Sequence, residues 1–228
     1  MRGNRRIKLD LSESDDYVLQ LNRLEPPLDV EAVFGRRAPL EIEIGCGKGL
    51  FLVSEAARHP ERDFIGIEVA SKYYRWTLSL VAREKLTNVR VLGDEAEYFI
   101  DRYIGPGMVD RFHVYYPDPW PKRRHRKRRI FKPEFLKAVH ERLVPGGLLR
   151  VATDHEDYYR QMQSVIEGAS GFETSNDEIH WENWLTNFGR KYEKEGRAVY
   201  RECLVRGPGE VSPKNAAPVQ EELDGRPA

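Results

Sequence analysis

The sequence predicts an α/β protein: a mostly parallel sheet with helices on both faces and an antiparallel strand close to the C-terminus. Three observations carry this expectation. From Leu40 onward, short β-rich runs alternate with amphipathic, helix-length segments, the pattern of repeated βα units. The first run turns into a helix through a glycine-rich loop, at the sheet edge where open parallel sheets bind ligands. A late run, AVYRECLVR (Ala198 to Arg206), alternates in polarity and has no helix after it, as an added antiparallel strand would.

The chain opens with a basic arm, residues 1–16, too charged for an apolar leader. Strands are expected at Leu40–Gly45, Asp63–Val69, Asn88–Gly93, Arg111–Pro117 and Leu148–Asp154. Between them the helix candidates are Leu50–Arg58, Ser71–Leu86 with Ser71 as its candidate N-cap, Glu95–Tyr103, Pro133–Leu143 with proline in the first turn, and Glu156–Glu167. Residues 17–206 read as a single domain, which the length of 228 residues and 40% hydrophobic content can support. The segment from Gly207 is rich in Gly, Pro and charge with little to bury, and reads as a disordered tail, residues 207–228.

Charge is segregated along this chain. Lys plus Arg (37) equals Asp plus Glu (37), yet KRRHRKRR, Lys122 to Arg129, holds seven of the positives, which leaves 30 against 37, or −7, for the rest. Cys46 and Cys203 are the two cysteines and neither sits in a CxxC or Cys/His cluster. That argues for a reducing, cytoplasmic setting and no bound metal. No apolar run approaches the roughly 18 residues a membrane span needs.

The first loop, EIGCGKG from Glu43 to Gly49, has glycines at 45, 47 and 49. Gly45 and Gly47 allow positive φ and close approach of a ligand, but the spacing is neither G-x-G-x-x-G nor GxxxxGK[ST]. An acid just before the loop, Glu43, would also repel a pyrophosphate. It suits a ligand with a cationic head. Glu68 closes the second strand about 20 residues further on, where such sheets place an acid for ribose hydroxyls, and Asp94–Glu95 follow the third. Three acids at successive strand ends describe a pocket for a cationic nucleoside without phosphate, namely S-adenosylmethionine; strand-end acids that merely stay wet are the bland alternative. Cys46 reads as a space-filler, with nothing nearby to activate it.

The fourth strand runs into PDPW, Pro117 to Trp120. Prolines on both sides of Asp118 fix the backbone and aim its carboxylate, and Trp120 offers a face worth roughly 1–3 kcal/mol to a stacked base. A rigid turn with a packed tryptophan is the structural alternative. The basic run follows at once, pinned between a strand and a helix, a position that favours contact with RNA phosphates over a merely solvated face.

EIEIGCGKG, GIEV, YYPDPWPKRRHRKRR and VATD together resemble the bacterial-type tRNA (guanine-N7-)-methyltransferases over about Leu40 to Arg206. The resemblance implies a Rossmann-like class I methyltransferase fold, S-adenosylmethionine as donor with S-adenosylhomocysteine as product, and tRNA as partner. The methyl would go to N7 of a variable-loop guanine. By the same resemblance Glu43 and Glu68 are cofactor acids, with Glu95 or the adjacent Asp94 as the third. Asp118 is the catalytic residue at the cofactor's reactive end, Lys122 and Asp154 contact substrate, and Arg124, His125, Arg126, Lys127, Arg128 and Arg129 contact RNA. A further substrate element, T-x-[FY]-E, falls on RKYE, so Glu193 is kept and Arg190 replaces the threonine, with Thr186 upstream at a different spacing. Monomer and homodimer both stay open.

Guanine N7 has a lone pair and no proton to lose, so the expected chemistry is placement and electrostatics, with Asp118 or Asp154 accepting from the guanine N1–H and N2–H₂. Three rivals remain at this level. Amino-methyltransferases carry [DN]-P-P-[YFW] where this chain has DPW; a non-catalytic RNA-binding relic has no need of Glu43 and Glu68; an NAD-linked oxidoreductase needs a different glycine spacing.

Overall fold

The computed structural model describes residues 14–175 and 186–208. Among the described residues, seven strands form one sheet in the order β3-β2-β1-β4-β5-β7-β6. The first five are β1 (Leu40–Ile44), β2 (Asp63–Ile67), β3 (Val89–Leu92), β4 (Val109–Tyr115) and β5 (Leu143–Thr153), all parallel. β7 (Tyr200–Arg206) lies antiparallel to β5, and β6 (Phe172–Thr174) antiparallel to β7. The expected antiparallel C-terminal strand is thus present, inserted between β5 and a short edge strand.

Helices cover both faces. α4 (Ala96–Tyr103), α5 (Pro133–Arg142) and α6 (Glu156–Glu167) bury Phe99, Leu136, Val139, Tyr158 and Met162 against Ile42, Phe112, Leu149 and Val151. On the other face α2 (Leu50–Arg58) and α3 (Ser71–Arg83) pack Leu52, Ala56, Leu78 and Val81 on Phe64, Val89 and Val91. α2 comes down closely because Gly66 has no side chain: a Cβ there would lie 2.4 Å from Leu52 Cδ2. Each buried leucine or phenylalanine of these layers contributes about 1.5–3 kcal/mol.

The elements differ from expectation in ways that have physical causes. Ser71 is the first helical residue of α3 and Ala70 is its N-cap. α4 starts at Ala96 with Glu95 at the cap. β5 begins five residues early because Leu143 already pairs with Val109 of β4, and the Pro145-Gly146-Gly147 stretch, which reads as a turn, falls within a register shift before pairing resumes at Arg111 and Leu148. α1 (Val30–Phe34) is a single turn between an Asp29 cap, whose carboxylate accepts from Ala32 N–H at 2.9 Å, and Gly35 in the left-handed region. Five residues are too few to show a helical period. α7 (Asn187–Lys194) completes the helices described. Most of the expected arm (1–16) and tail (207–228) lies outside the described residues; within it, Asp15–Tyr17 form a 3-10 turn and Gly207 N–H donates to Gly171 C=O at 2.8 Å.

Chain order reverses between β1 and β4. A crevice opens there at the carboxyl ends of the strands, and the residues singled out above converge on it.

Candidate active site at the carboxyl edge of the sheet

A cavity of about 590 Å³ lies over this reversal, a size suited to a nucleoside-sized ligand. Its walls include Glu43, Gly45, Gly47, Glu68, Asp94, Glu95, Asp118 and Trp120. Gly45 and Gly47 have φ of 73° and 56°, which bends the backbone back from β1 without a Cβ penalty. Two side chains hold this loop. Glu68 accepts from Gly47 N–H at 2.9 Å and from Ala70 N–H at 2.8 Å, tying the loop to the start of α3. Thr77, buried in α3, donates its hydroxyl to Gly47 C=O at 2.8 Å. Glu68 still has lone pairs on both oxygens for hydroxyls of a ligand.

Glu43 is 5% exposed, and its Oε2 has no hydrogen-bond partner. Burial pushes its carboxyl up to about 8, with the neighbouring charges of Glu68 and Glu55 adding and a hydrogen bond from the Leu52 backbone opposing. A buried acid with an orphaned oxygen on a cavity wall fits a ligand cation. Asp94 Oδ1 accepts from Glu95 N–H at 2.7 Å at the mouth of α4.

Asp118 is the contrasting acid: exposed on the cavity wall, it makes no hydrogen bond or ion pair among the described residues. Tyr116 and Trp120 on either side of its segment adopt positive φ, 52° and 41°, costly for bulky residues. Arg129 pays for that geometry. Its side chain is 0% exposed; Nε donates to Pro119 C=O at 2.7 Å, Nη1 to Gln161 at 2.6 Å and Nη2 to Asp157 at 2.6 Å, and the guanidinium lies over Tyr158. Arg129 therefore cannot contact RNA, contrary to expectation. It is the buried brace of the proline segment.

The rest of the run forms a 3-10 turn, Arg123–Arg128, capped by Lys122. Lys122, Arg123, Arg124, Lys127 and Arg128 are exposed and have no carboxylate partner among the described residues. Arg126 pairs with Asp157 at 2.9 Å. His125 packs edge-on against Trp120, and Arg128 lies over the same ring at 4.9 Å.

Asp154 and Lys122 are not on the cavity wall. Asp154 accepts from Arg197 at 3.4 Å and bears on Tyr192, whose hydroxyl it helps hold above its usual range, after burial. Tyr192 in turn meets Tyr116 edge-on at 5.4 Å, and Tyr116 lines the cavity. Arg190 and Glu193 lie on α7, but their side chains are outside the described residues. Thr186, whose spacing argued against it, is in the cavity wall and accepts from Gly189 N–H at 2.7 Å, which starts α7 beside the site.

Sequence reasoning also missed a buried chain under the wall. Glu41 meets His113 Nε2 at 2.8 Å, and His113 Nδ1 meets the Tyr115 hydroxyl at 2.8 Å. Burial opposes the Glu41 charge, but His113, Arg111 and Arg62 outweigh it and hold the carboxyl at about 2. Burial shifts His113 below its usual range, against the pull of Glu41, and so favours the neutral ring. An ionised Glu41 only accepts, so Nε2 carries the proton and Nδ1 accepts from Tyr115. The alternating R-x-H-x-Y of β4 opposite E-x-E of β1 was the available signal.

Comparison with known proteins agrees with this arrangement. The family described as "Putative methyltransferase" matches residues 37–202. A tRNA (guanine-N(7)-)-methyltransferase of Alkalilimnicola ehrlichii is 39% identical over 178 residues, 76% of this chain and 75% of that protein. The one from Pseudomonas savastanoi pv. phaseolicola is 40% identical over 185 residues, 79% and 76%. Among solved structures, the 16S rRNA methyltransferase KamB superposes with a TM-score of 0.55 at 14% identity, over 78% of this chain and 92% of its own, a likeness of fold. The sheet order, the loop at its reversal and the extent of these matches lead to one assignment: the chain is a methyltransferase of class I fold and belongs to the tRNA (guanine-N(7)-)-methyltransferase family.

Proposed function

We propose that this enzyme transfers the methyl group of S-adenosylmethionine to N7 of a guanine in the variable loop of tRNA, leaving 7-methylguanosine and S-adenosylhomocysteine. The observation that carries the reading is that one cavity joins the glycine loop and Glu43 to Asp118 and Trp120, directly beneath the basic turn. The names of the relatives support the substrate, and a tRNA substrate implies a cytoplasmic enzyme.

Glu43, Gly45, Gly47, Glu68 and the Asp94–Glu95 pair would hold the cofactor, Glu43 facing its cationic amino-acid end and Glu68 its ribose. Bound there, the cofactor supplies an electrophilic methyl on a sulfonium. Guanine N7 needs no general base, so the chain contributes position and charge; holding reactants in line supplies up to roughly 7–11 kcal/mol. Asp118, with its lone pairs uncommitted, is the acid suited to accept from guanine N1–H and N2–H₂ and to offset the positive charge arriving on the purine, each such bond worth about 1.5–3 kcal/mol. Asp154 acts one layer back, through Tyr192 on the Tyr116 wall. Trp120 stacks the extracted base, whose removal from the tRNA costs a few kcal/mol. Lys122, Arg123, Arg124, Lys127 and Arg128 take phosphates.

The test is transfer of labelled methyl from S-adenosylmethionine into unmodified tRNA, followed by nuclease digestion. 7-Methylguanosine is expected as the labelled nucleoside; N6-methyladenosine, or no label in RNA, overturns the proposal.

A further inference from the structure

The cavity mouth has a second rim, and the function proposed above does not use it. Trp120 and the basic turn follow β4 on one side of β1; on its other side, after β2, the wall is formed by Val69, Ala70 and Tyr73 at the start of α3. The outer surface of that turn is unusual in composition. Val69, Tyr73 and Trp76 are 66%, 39% and 39% exposed. Lys48, from the glycine loop, lies over the Trp76 ring at 5.7 Å, and Lys72 over the Tyr73 ring at 6.0 Å. Lys48, Lys72 and Arg75 are exposed and have no carboxylate partner among the described residues. Elsewhere arginines of this protein are commonly matched, as Arg36 is to Asp63, Arg58 to Glu55 and Arg160 to Glu156.

The arrangement repeats that of the other rim: an exposed or half-buried tryptophan with a cation over its face, beside further unpaired cations. Large apolar faces left to water are unfavourable unless something covers them. Stacking of a base on an aromatic ring, with its phosphates taken by adjacent Lys and Arg, is the chemistry by which single-stranded RNA is held without sequence readout. A protein partner would need carboxylates placed against three cations as well as an apolar face, whereas an RNA strand brings phosphates and flat bases in alternation.

We infer that the first two turns of α3, with Lys48, form a second RNA-contact surface that binds the unpaired strand continuing from the target guanosine, one base stacking on Trp76 and the neighbouring phosphates pairing with Lys72 and Arg75. The inference rests on RNA being the substrate. The two rims then grip the strand on both sides of the extracted base, which holds it open over the cavity.

The experiment compares Trp76→Ala, Trp76→Phe and Lys72→Ala/Arg75→Ala with Lys122→Ala/Arg123→Ala/Lys127→Ala on the basic turn, measuring tRNA affinity against salt, cofactor affinity and sedimentation. Trp76→Ala is expected to weaken tRNA binding about 5- to 150-fold, with Trp76→Phe restoring most of it. The α3 double variant is expected to reduce the log–log salt slope by about 1.4–1.8, at 0.7–0.9 per phosphate. Cofactor affinity stays within about twofold for all α3 variants. Unchanged tRNA affinity and slope in the α3 variants, while the basic-turn variant loses both, overturns the inference and leaves the tRNA reading intact. No tRNA binding by the unaltered protein removes the reading itself. A change in sedimentation with Trp76→Ala and none in tRNA affinity identifies the patch as a contact between two copies of this chain and also overturns the inference.

Discussion

Glu43 and Asp118 are carboxylates on one cavity, and their surroundings separate them. Burial and two neighbouring acids keep the proton on Glu43 up to about pH 8, whereas Asp118 is open to water. In an unfolded chain Glu43 ionises near its ordinary value of 4.5, so between about 4.5 and 8 the folded, cofactor-free state binds more protons than the unfolded one. Stability contributed at this site therefore falls as pH rises through that window and levels above it. Glu43→Gln should remove that slope in thermal melts taken from pH 5 to 8.5. A cationic ligand favours the ionised form, so affinity for S-adenosylmethionine should rise with pH towards 8 and be accompanied by proton release. Calorimetry in buffers of different ionisation enthalpy reads that release, and an equal slope in Glu43→Gln would show that other groups are responsible. At Asp118 the expectation is different. Asp118→Ala should lower kcat by about 10²–10³, the usual range for a lost electrostatic contact to the transition state; a raised KM with intact kcat would mean that it only binds.

At the scale of elements, the segment from Tyr116 to Trp120 is held in two left-handed conformations by a residue nine positions beyond its end. Arg129→Ala removes the Pro119 contact and leaves a cavity against Tyr158, and should destabilise by about 2–4 kcal/mol. At temperatures where the variant is still folded it should also lose methyl transfer, because the aim of Asp118 loosens; full kcat in a folded Arg129→Ala would contradict the bracing role. Thr77→Val, which loses the hydroxyl to Gly47 C=O, should cost about 1 kcal/mol and weaken cofactor binding more than tRNA binding, as separate titrations would reveal. The five parallel strands, the glycine loop and the acids at three strand ends were legible in the sequence, because alternation and turn residues mark them directly. Arg129 was not. A run of like charges has no periodicity to say which member turns inward, and its partners Asp157 and Gln161 lie about 30 residues away on α6. Thr186 was hidden for a related reason, since only the packing of α7 brings it to the wall. Glu41 and His113 read as ordinary alternating polar positions until β1 and β4 pair.

Over the whole molecule, equal numbers of acids and bases conceal two cationic rims around one acidic cavity. Acids inside suit a cationic cofactor, and cations outside suit the RNA laid across it. The five unmatched cations of the basic turn alone imply a log–log salt slope for tRNA binding of about −3.5 to −4.5. A slope near zero would mean that the segregated charge faces only water. No helix among the described residues is long and apolar enough to cross a membrane. The proposed acceptor of the methyl group, guanine N7, is a ring nitrogen that needs no deprotonation. It is tested most directly with a tRNA carrying 7-deazaguanosine at the methylated position, which replaces N7 by C–H and leaves the Watson–Crick edge unchanged. Unaltered binding and no methyl incorporation from labelled S-adenosylmethionine are expected; incorporation at the rate of the natural tRNA would rule out N7 as the acceptor.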